Sequence, residues 1–390
     1  MKKLLQRLTK GKRGLKYWLT LGLHLVLALA SLGCLLGMRS LGGTLEALTA
    51  AERFRGDGEL RFAQLACFLP ADGGKSEADI YSFRQTLDSK MVEQFLEAPE
   101  GGSLYLDAYC GTASVNVVSE GGSATAEAIG VGGDFFYFHP LHLRSGSYIS
   151  GGDLMDDLVV LDEEVAWKLF GGTELTGMSL TINGQPFIVA GVVSREDDFA
   201  SRRAYSGTGG IFLSYSALSR LEEDASITCY EVVMPDPISG YAKGVLTDSF
   251  PGDNKDVVEN SSRYSPVRLF TEVAGQFGER SMRTNGIIYP YWENAARLTE
   301  DYAALLLILA ILFALCPVLS ALVWSILSIR RGYRFLKRTV PEKVEAGVEK
   351  RRERRLEKNF EKEGKTNHGG AEPAESEEGV RQHGGGGAGL

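Results

Sequence analysis

The sequence predicts an α+β fold: a mixed-sheet domain held outside the cytoplasm between two transmembrane α-helices, with a charged cytoplasmic tail. Three observations carry that expectation: two long apolar runs, a reversal of charge across them, and alternating strand and helix patterns in between. Of the 390 residues, 44% are hydrophobic and 24% charged, a globular average that conceals an uneven distribution. Residues 14–38 read GLKYWLTLGLHLVLALASLGCLLGM, with Lys16 the one charge. Residues 302–329 read YAALLLILAILFALCPVLSALVWSILSI, with no charge. Crossing the hydrocarbon core takes about 20 apolar residues, and both runs exceed that. The first is too long for the core of a cleaved signal peptide, and no small-residue cleavage site follows it. Pro317 is tolerable inside a membrane helix, where neighbouring groups satisfy the freed carbonyl.

Charge sets the orientation. Residues 1–38 carry Lys2, Lys3, Arg7, Lys10, Lys12, Arg13 and Lys16 without an acid, and Arg330, Arg331, Arg334, Lys337 and Arg338 follow the second run. Basic flanks stay inside, so both termini are expected in the cytoplasm and 39–301 outside it, in a two-span protein of the cell membrane. Residues 39–301 hold 20 Lys+Arg against 39 Asp+Glu, a net of −19, whereas 330–390 hold 15 against 11, a net of +4. The domains are therefore 1–38 (basic N-terminus and first span), 39–301 (outer domain), 302–329 (second span) and 330–390 (tail). The lipid bilayer is one partner. An acidic outer domain disfavours nucleic acid.

Within 39–301, residues 61–69 (RFAQLACFL) read as a strand. Ser76 and Asp79 form a capping box ahead of a helix with Ile80, Phe83, Leu87, Met91 and Phe95 at spacings of three and four. Leu104, Leu106, Ala108 and Cys110 alternate with Tyr105, Asp107 and Tyr109, as in a half-buried strand, and 114–118 is apolar again. The Gly- and aromatic-rich 121–152 suggests short strands and turns. Residues 158–161 are a short strand, after which Asp162 caps a helix closed by Gly171. Strands at 179–182 and 186–193 flank Asn183-Gly184, the preferred pair of a type I′ hairpin. Residues 227–234 form another strand, and from Trp292 the chain is helix-compatible into the second span. In the tail, Glu345, Glu349, Glu353, Glu357 and Glu361 recur every four residues, which supports a solvated helix. Residues 364–390 read as disordered.

Five cysteines are present. Cys34 and Cys316 lie in the spans and act as small apolar residues. Cys67, Cys110 and Cys229 lie outside in no framework spacing. Cys67 and Cys110 fall on two expected strands joined by a helix, a connection that can set strands side by side. Three unpaired thiols are the expectation, with a bond between Cys67 and Cys110 that leaves Cys229 free as the alternative.

Several motifs are reminiscent of chemistry without completing it. A phosphate loop needs a glycine five residues ahead of Gly74-Lys75-Ser76, where Leu69 stands. His139 and His142 form H-x-x-H without a nearby Cys or paired carboxylates, and read as partly exposed. Asp153, Asp156, Asp157 and Glu196, Asp197, Asp198 lack the glycine and closing Glu of a calcium loop, and read as solvated. His24 lies inside the first span, where helix packing accounts for a single neutral imidazole. There is no G-x-S-x-G elbow. Catalytic residues: none. Cofactor-binding and metal-ligating residues: none. The chain is expected not to be an enzyme and to need no cofactor.

The order of parts, and above all 159–193 (VVLDEEVAWKLFGGTELTGMSLTINGQPFIVAGVV), resembles the MacB-like/FtsX-like family of ABC transporter permeases. The matching positions are Phe170-Gly171, Gly177, Ile182, Gly184, Phe187, Val189, Gly191 and Val192, with Gly133-Asp134-Phe135-Phe136 and Arg144-Ser145-Gly146 upstream. Such permeases carry four spans, three after the outer domain, so the resemblance implies a reduced two-span form. It implies a non-ATPase permease subunit whose outer domain (a MacB-like periplasmic core domain) binds partners or transmits motion. The implied partners are an ABC ATPase and a multi-span permease or a second copy. The alternative is a stand-alone receptor or scaffold that uses the same outer fold for protein or cell-wall recognition.

If 292–329 is one helix, its 38 residues span roughly 57 Å, more than the core needs. The surplus is expected to project as a stalk with Trp292 and Tyr302 near the interface. A proline at Ala296 would then break the lever while sparing the outer domain. Protease added to intact cells with the wall removed should cut within 39–301 and spare both ends; cutting near Arg351 from outside would overturn the orientation.

Overall fold

The computed structural model describes residues 2–94, 103–153, 155–205 and 209–366. They fall into two units, Met1–Pro317 and Val318–Leu390. In the first, α1 (Lys2–Gly42) and α2 (Ala50–Arg55) lead into a ten-stranded sheet. Its strands are β1 (Phe62–Phe68), β2 (Leu106–Ser119), β3 (Gly122–Gly133), β4 (His142–Gly146), β5 (Leu158–Asp162), β6 (Ser179–Ile182), β7 (Gln185–Ser194), β8 (Gly210–Ser214), β9 (Cys229–Pro235) and β10 (Asp256–Glu259). The order is β10-β1-β9-β2-β3-β8-β5-β7-β4, and β6 bonds to both β2 and β7. The pairs β3–β8 and β5–β7 are parallel and the others antiparallel, so the sheet is mixed, as expected. Because β6 reaches β2, the pairings β2–β3–β8–β5–β7–β6 close a ring.

Two apolar layers cover the sheet. Ala63, Leu65, Cys67 and Leu69 of the first strand region face a core built with α3 (Glu77–Glu93), α5 (Glu163–Phe170), α7 (Tyr215–Leu221) and α8 (Tyr241–Ser249). Ala66 and Phe68 face the opposite core, shared with α2, α4 (Phe135–Phe138) and Trp292. This alternation is the two-residue period of a strand. The local chemistry follows the sequence closely. Ser76 and Asp79 form the capping box of α3, whose Ile80, Phe83, Leu87 and Met91 are buried; Phe95 lies outside the described residues. Asp162 Oδ1 accepts from Val165 N at 2.7 Å, and Gly171 closes α5 at φ 71°. Asn183 and Gly184, at φ 47° and 81°, turn the β6–β7 hairpin.

Within 121–152, residues 122–133 form one long strand, β3, paired along its length with β2, and the short strand β4, the helical turn α4 and irregular turns follow, as expected. The glycines of β3 serve contact as well as turning: a Cβ at Gly130 would lie 2.6 Å from Leu218 Cβ, so α7 packs directly on the strand backbone. Other expectations are corrected. Cys67 and Cys110 are not side by side, because β9 is inserted between β1 and β2. They also face opposite cores. The register partner of Cys110 is Cys229, and all three thiols are free and buried. The expected alternation of 104–110 gives way to burial on both faces from Asp107 to Gly111, since layers cover both sides there.

The helix α10 runs Tyr291–Thr366, so the expected continuity from Trp292 to Ile329 holds. The projecting stalk does not. Trp292 is 7% exposed and packs 5.6 Å from Phe135, and Ala295 and Ala296 have no exposure. The first three turns of α10 are enclosed by the outer domain, and a proline at Ala296 would damage the domain as well as the helix. In the second unit the side chains of 343–359 are exposed, as a charged helix with few apolar residues requires. Helix extends to Thr366, and the remainder of the tail lies outside the described residues. Peptide mapping of unreduced protein should never find Cys67 linked to Cys110. Where oxidation joins two of the three, the pair should be Cys110–Cys229.

Candidate functional site: a buried ion network

Glu293, Arg297 and Glu300 follow one another at intervals of four and three, which sets them on one face of α10. All are buried, at 2%, 4% and 0% exposure. Arg263, in the connection after β10, is fully buried against them. Its Nε donates to Glu300 Oε1 at 2.7 Å, and Nη1 and Nη2 donate to the two oxygens of Glu293 at 2.7 and 2.6 Å. Nη1 also reaches Asn260 Oδ1 at 3.0 Å. Arg280 Nη1 lies 2.6 Å from Glu300 Oε2. Arg297 donates from Nε to Glu293 and from Nη2 to Asp256 of β10, both at 2.6 Å. The ring of Tyr289 sits 3.8 Å from the Arg297 guanidinium, and its hydroxyl donates to Asp256 at 2.8 Å. Three guanidiniums thus face three carboxylates.

Buried charge is tolerated only when paired and hydrogen-bonded, and the fork of Arg263 on Glu293 is the strong bidentate form. Burial works against the charge on Arg263, but Glu293 and Glu300 outweigh it and hold its pKa well above the ordinary value. Burial likewise pushes the Glu300 carboxyl up, and Arg263 with Arg280 pulls it below the ordinary 4.5. Asp256 is also pushed up by burial and pulled below 3.8, chiefly by Arg297. With every carboxylate committed to a cation, the network is arranged to hold position rather than to move protons.

One level further along the chain, Leu269 and Val273 pack on Ala303, Ala304 and Leu307 of α10, with Met38 of α1 and Tyr264 against them. Ser31 Oγ of α1 donates to Ala310 O at 2.9 Å. Helix α10 is therefore gripped by ions in the outer domain and by apolar contacts next to α1. Trp18–Gly42 and Tyr291–Lys337 are each long and apolar enough to cross a membrane.

The remaining candidates do not assemble into chemistry. His139 is buried, not partly exposed: its Nε2 lies 2.5 Å from Glu231 Oε2, and its ring lies 4.4 Å from Trp292. His142 is exposed on β4 and does not join it. Asp156 pairs with Arg220 at 3.3 Å. The acids 196–198 are not simply solvated: Asp198 caps α6 (Phe199–Ala204) through Ala200 N and Ser201 N, and Glu196 accepts from the Tyr205 hydroxyl. Lys75 sits in the turn entering α3, 3.9 Å from Asp79. His24 Nδ1 lies 2.6 Å from Thr20 O, one turn back in its own helix. Among the described residues no group of three His, Cys, Asp or Glu side chains is placed to hold a metal ion. A cleft of about 900 Å³ is lined by Trp167, Arg195, Arg144 and Trp292. Two of its arginines are engaged with the domain's own acids, Arg195 with Asp162 and Glu164 and Arg144 with Glu163.

Sequence reasoning missed the network. Its one local signal was the Glu293, Arg297, Glu300 stripe just ahead of the apolar run; Arg263 and Arg280 lie in irregular segments that no periodicity marks. Glu300→Gln leaves two buried guanidiniums short of charge and should cost about 3–5 kcal/mol, read as a lowered melting temperature in detergent. Adding Arg280→Met should restore part of the loss. Because the Glu300 pKa is lowered on folding, its contribution is complete above the unfolded value near 4.5 and is lost as pH falls through the folded one. The gap between wild type and Glu300→Gln should therefore narrow in acid.

No curated protein matches the chain. Among solved structures, it is similar to the periplasmic region of MacB from Actinobacillus actinomycetemcomitans, with 19% identity and a TM-score of 0.37, covering 56% of this chain and 98% of that one. It is also similar to the extracellular domain of the noncanonic ABC-type transporter YknZ from Gram-positive bacteria, with 14% identity and a TM-score of 0.36, covering 51% and 100%. The family model described as the MacB-like periplasmic core domain matches residues 32–240, more than half of the chain and inclusive of the 159–193 signature. The ion network, from Asp256 to Glu300, lies beyond that match. The chain belongs to the family of the MacB-like periplasmic core domain.

Proposed function

We propose that the chain is the permease-type, non-ATPase membrane subunit of an ABC transport complex, and that it carries motion between its outer domain and the membrane. Its family membership supports the transport setting, and the buried network supports the mechanical role. Six ionic side chains fasten the outer domain to a helix that continues into an apolar run, so displacement of the domain displaces the helix with it. A side-chain hinge is disfavoured there, because opening it would strand buried charge. The domain at 39–301 lies outside the cytoplasm with both termini inside, as the basic flanks of the two spans require. The partners are an ABC ATPase and a multi-span permease or a second copy of this chain.

Purification of the tagged chain from detergent-solubilised membranes, followed by mass spectrometry, should recover an ABC ATPase and a multi-span permease. Recovery of surface or wall components without either would favour a stand-alone receptor or scaffold. In the purified complex, Asp256→Asn removes one ion pair at the half-exposed edge of the network. It should lower coupled ATP turnover several-fold while complex yield stays unchanged; unchanged turnover would count against the lever.

A further inference from the structure

Residues 266–276 are helical in three consecutive pieces: α9 (Pro266–Arg268), a π-turn (Leu269–Val273) and a 3₁₀ turn (Ala274–Gln276). Val267, Leu269, Phe270 and Val273, with Phe277 in the turn that follows, make up the apolar arc of this segment, and Arg268, Thr271, Glu272 and Gln276 are its polar side chains. The apolar arc is only half covered. Leu269 and Val273 have no exposure, packed on Ala303, Ala304 and Leu307, while Val267, Phe270 and Phe277 are 74%, 57% and 54% exposed.

We infer that the open half of this arc lies in the lipid of the outer membrane–water boundary, so that the segment is an interfacial helix. Depth identifies the occupant. The residues covering Leu269 and Val273 are the first turns of the apolar run 302–329, and Met38, at the end of the first run, packs against the same cluster. The segment is thus held level with the outer ends of both spans. The same stretch of α10 also exposes Leu305, Ile311 and Leu312, side chains that acyl chains would surround in a membrane. A contiguous exposed apolar face in water is unfavourable and marks an interaction surface; at this depth the surface it meets is lipid. The polar arc is anchored the other way, with Arg268 Nη1 donating to Glu259 O at 3.3 Å and Nε to Glu272 at 3.1 Å. Apolar side chains toward lipid and charged ones away from it is the arrangement of helices that lie in the membrane plane. The helix would give the outer domain a third membrane contact beside the two spans and fix its tilt.

The inference rests on 302–329 being a membrane span, and the test separates the two. The photo-crosslinking residue p-benzoylphenylalanine is placed in the full chain at Phe270, at Thr271 and at Leu312, and each protein is reconstituted in phosphatidylcholine–phosphatidylglycerol vesicles and irradiated. Phospholipid adducts are expected at 270 and 312, with far weaker labelling at 271. Lipid labelling at 312 without labelling at 270 overturns the interfacial helix and leaves the span intact. A protein crosslink from 270 in native membranes, replacing lipid, overturns it in favour of a protein interface. Absence of lipid adducts at both 270 and 312 overturns the span and this inference together.

Discussion

A guanidinium with no exposure to water organises this molecule. Arg263 lies where solvation is unavailable, so its charge must be met by Glu293 and Glu300, which belong to α10. Those carboxylates in turn require Arg280 and Arg297, and Arg297 requires Asp256 on the edge strand β10. Each ion is acceptable only because the next is in place, and the chain of necessity runs from the sheet to the helix. Such a network is not an economical way to gain stability, since apolar side chains of the same size would serve as well. What it confers is a single permitted position of α10 relative to the sheet.

The sheet supplies a frame stiff enough to make that position useful. β6 bonds to β2 and β7, and the ring of six strands that results has no free edge within it. Apolar layers fill both faces, so a shift of one strand would disturb packing on two sides. Trp292 extends the same rigidity to α10, because its ring enters the core beside Phe135 and His139. Ions and aromatic packing therefore hold the same helical turns from different directions, and neither grip needs the other to define the geometry.

The two ends of the outer domain carry different kinds of information. Residues 159–193, within the family match, form a capped helix and a hairpin. The segment from Asp256 to Glu300 lies beyond the match and joins that frame to the apolar run.

Local chemistry was legible from the residues alone. The Ser76 box, the Asp162 cap, the Gly171 stop and the Asn183-Gly184 turn act through neighbours within a few residues, so sequence spacing determines them. The two apolar runs and their basic flanks are equally local, being properties of composition over twenty or thirty residues. Strand order was not of that kind. β9 separates β1 from β2 although it follows them by more than a hundred residues, and this alone decides which cysteines are neighbours. The ion network is similar, since Arg263 and Arg280 read as ordinary surface charges until folding encloses them with Glu293 and Glu300. The sequence by itself determined the elements, the caps and the apolar lengths, because those depend on contacts short in sequence. The tertiary structure alone decided that α10 begins inside the outer domain rather than above it, because burial of a charge depends on which distant charge arrives to meet it.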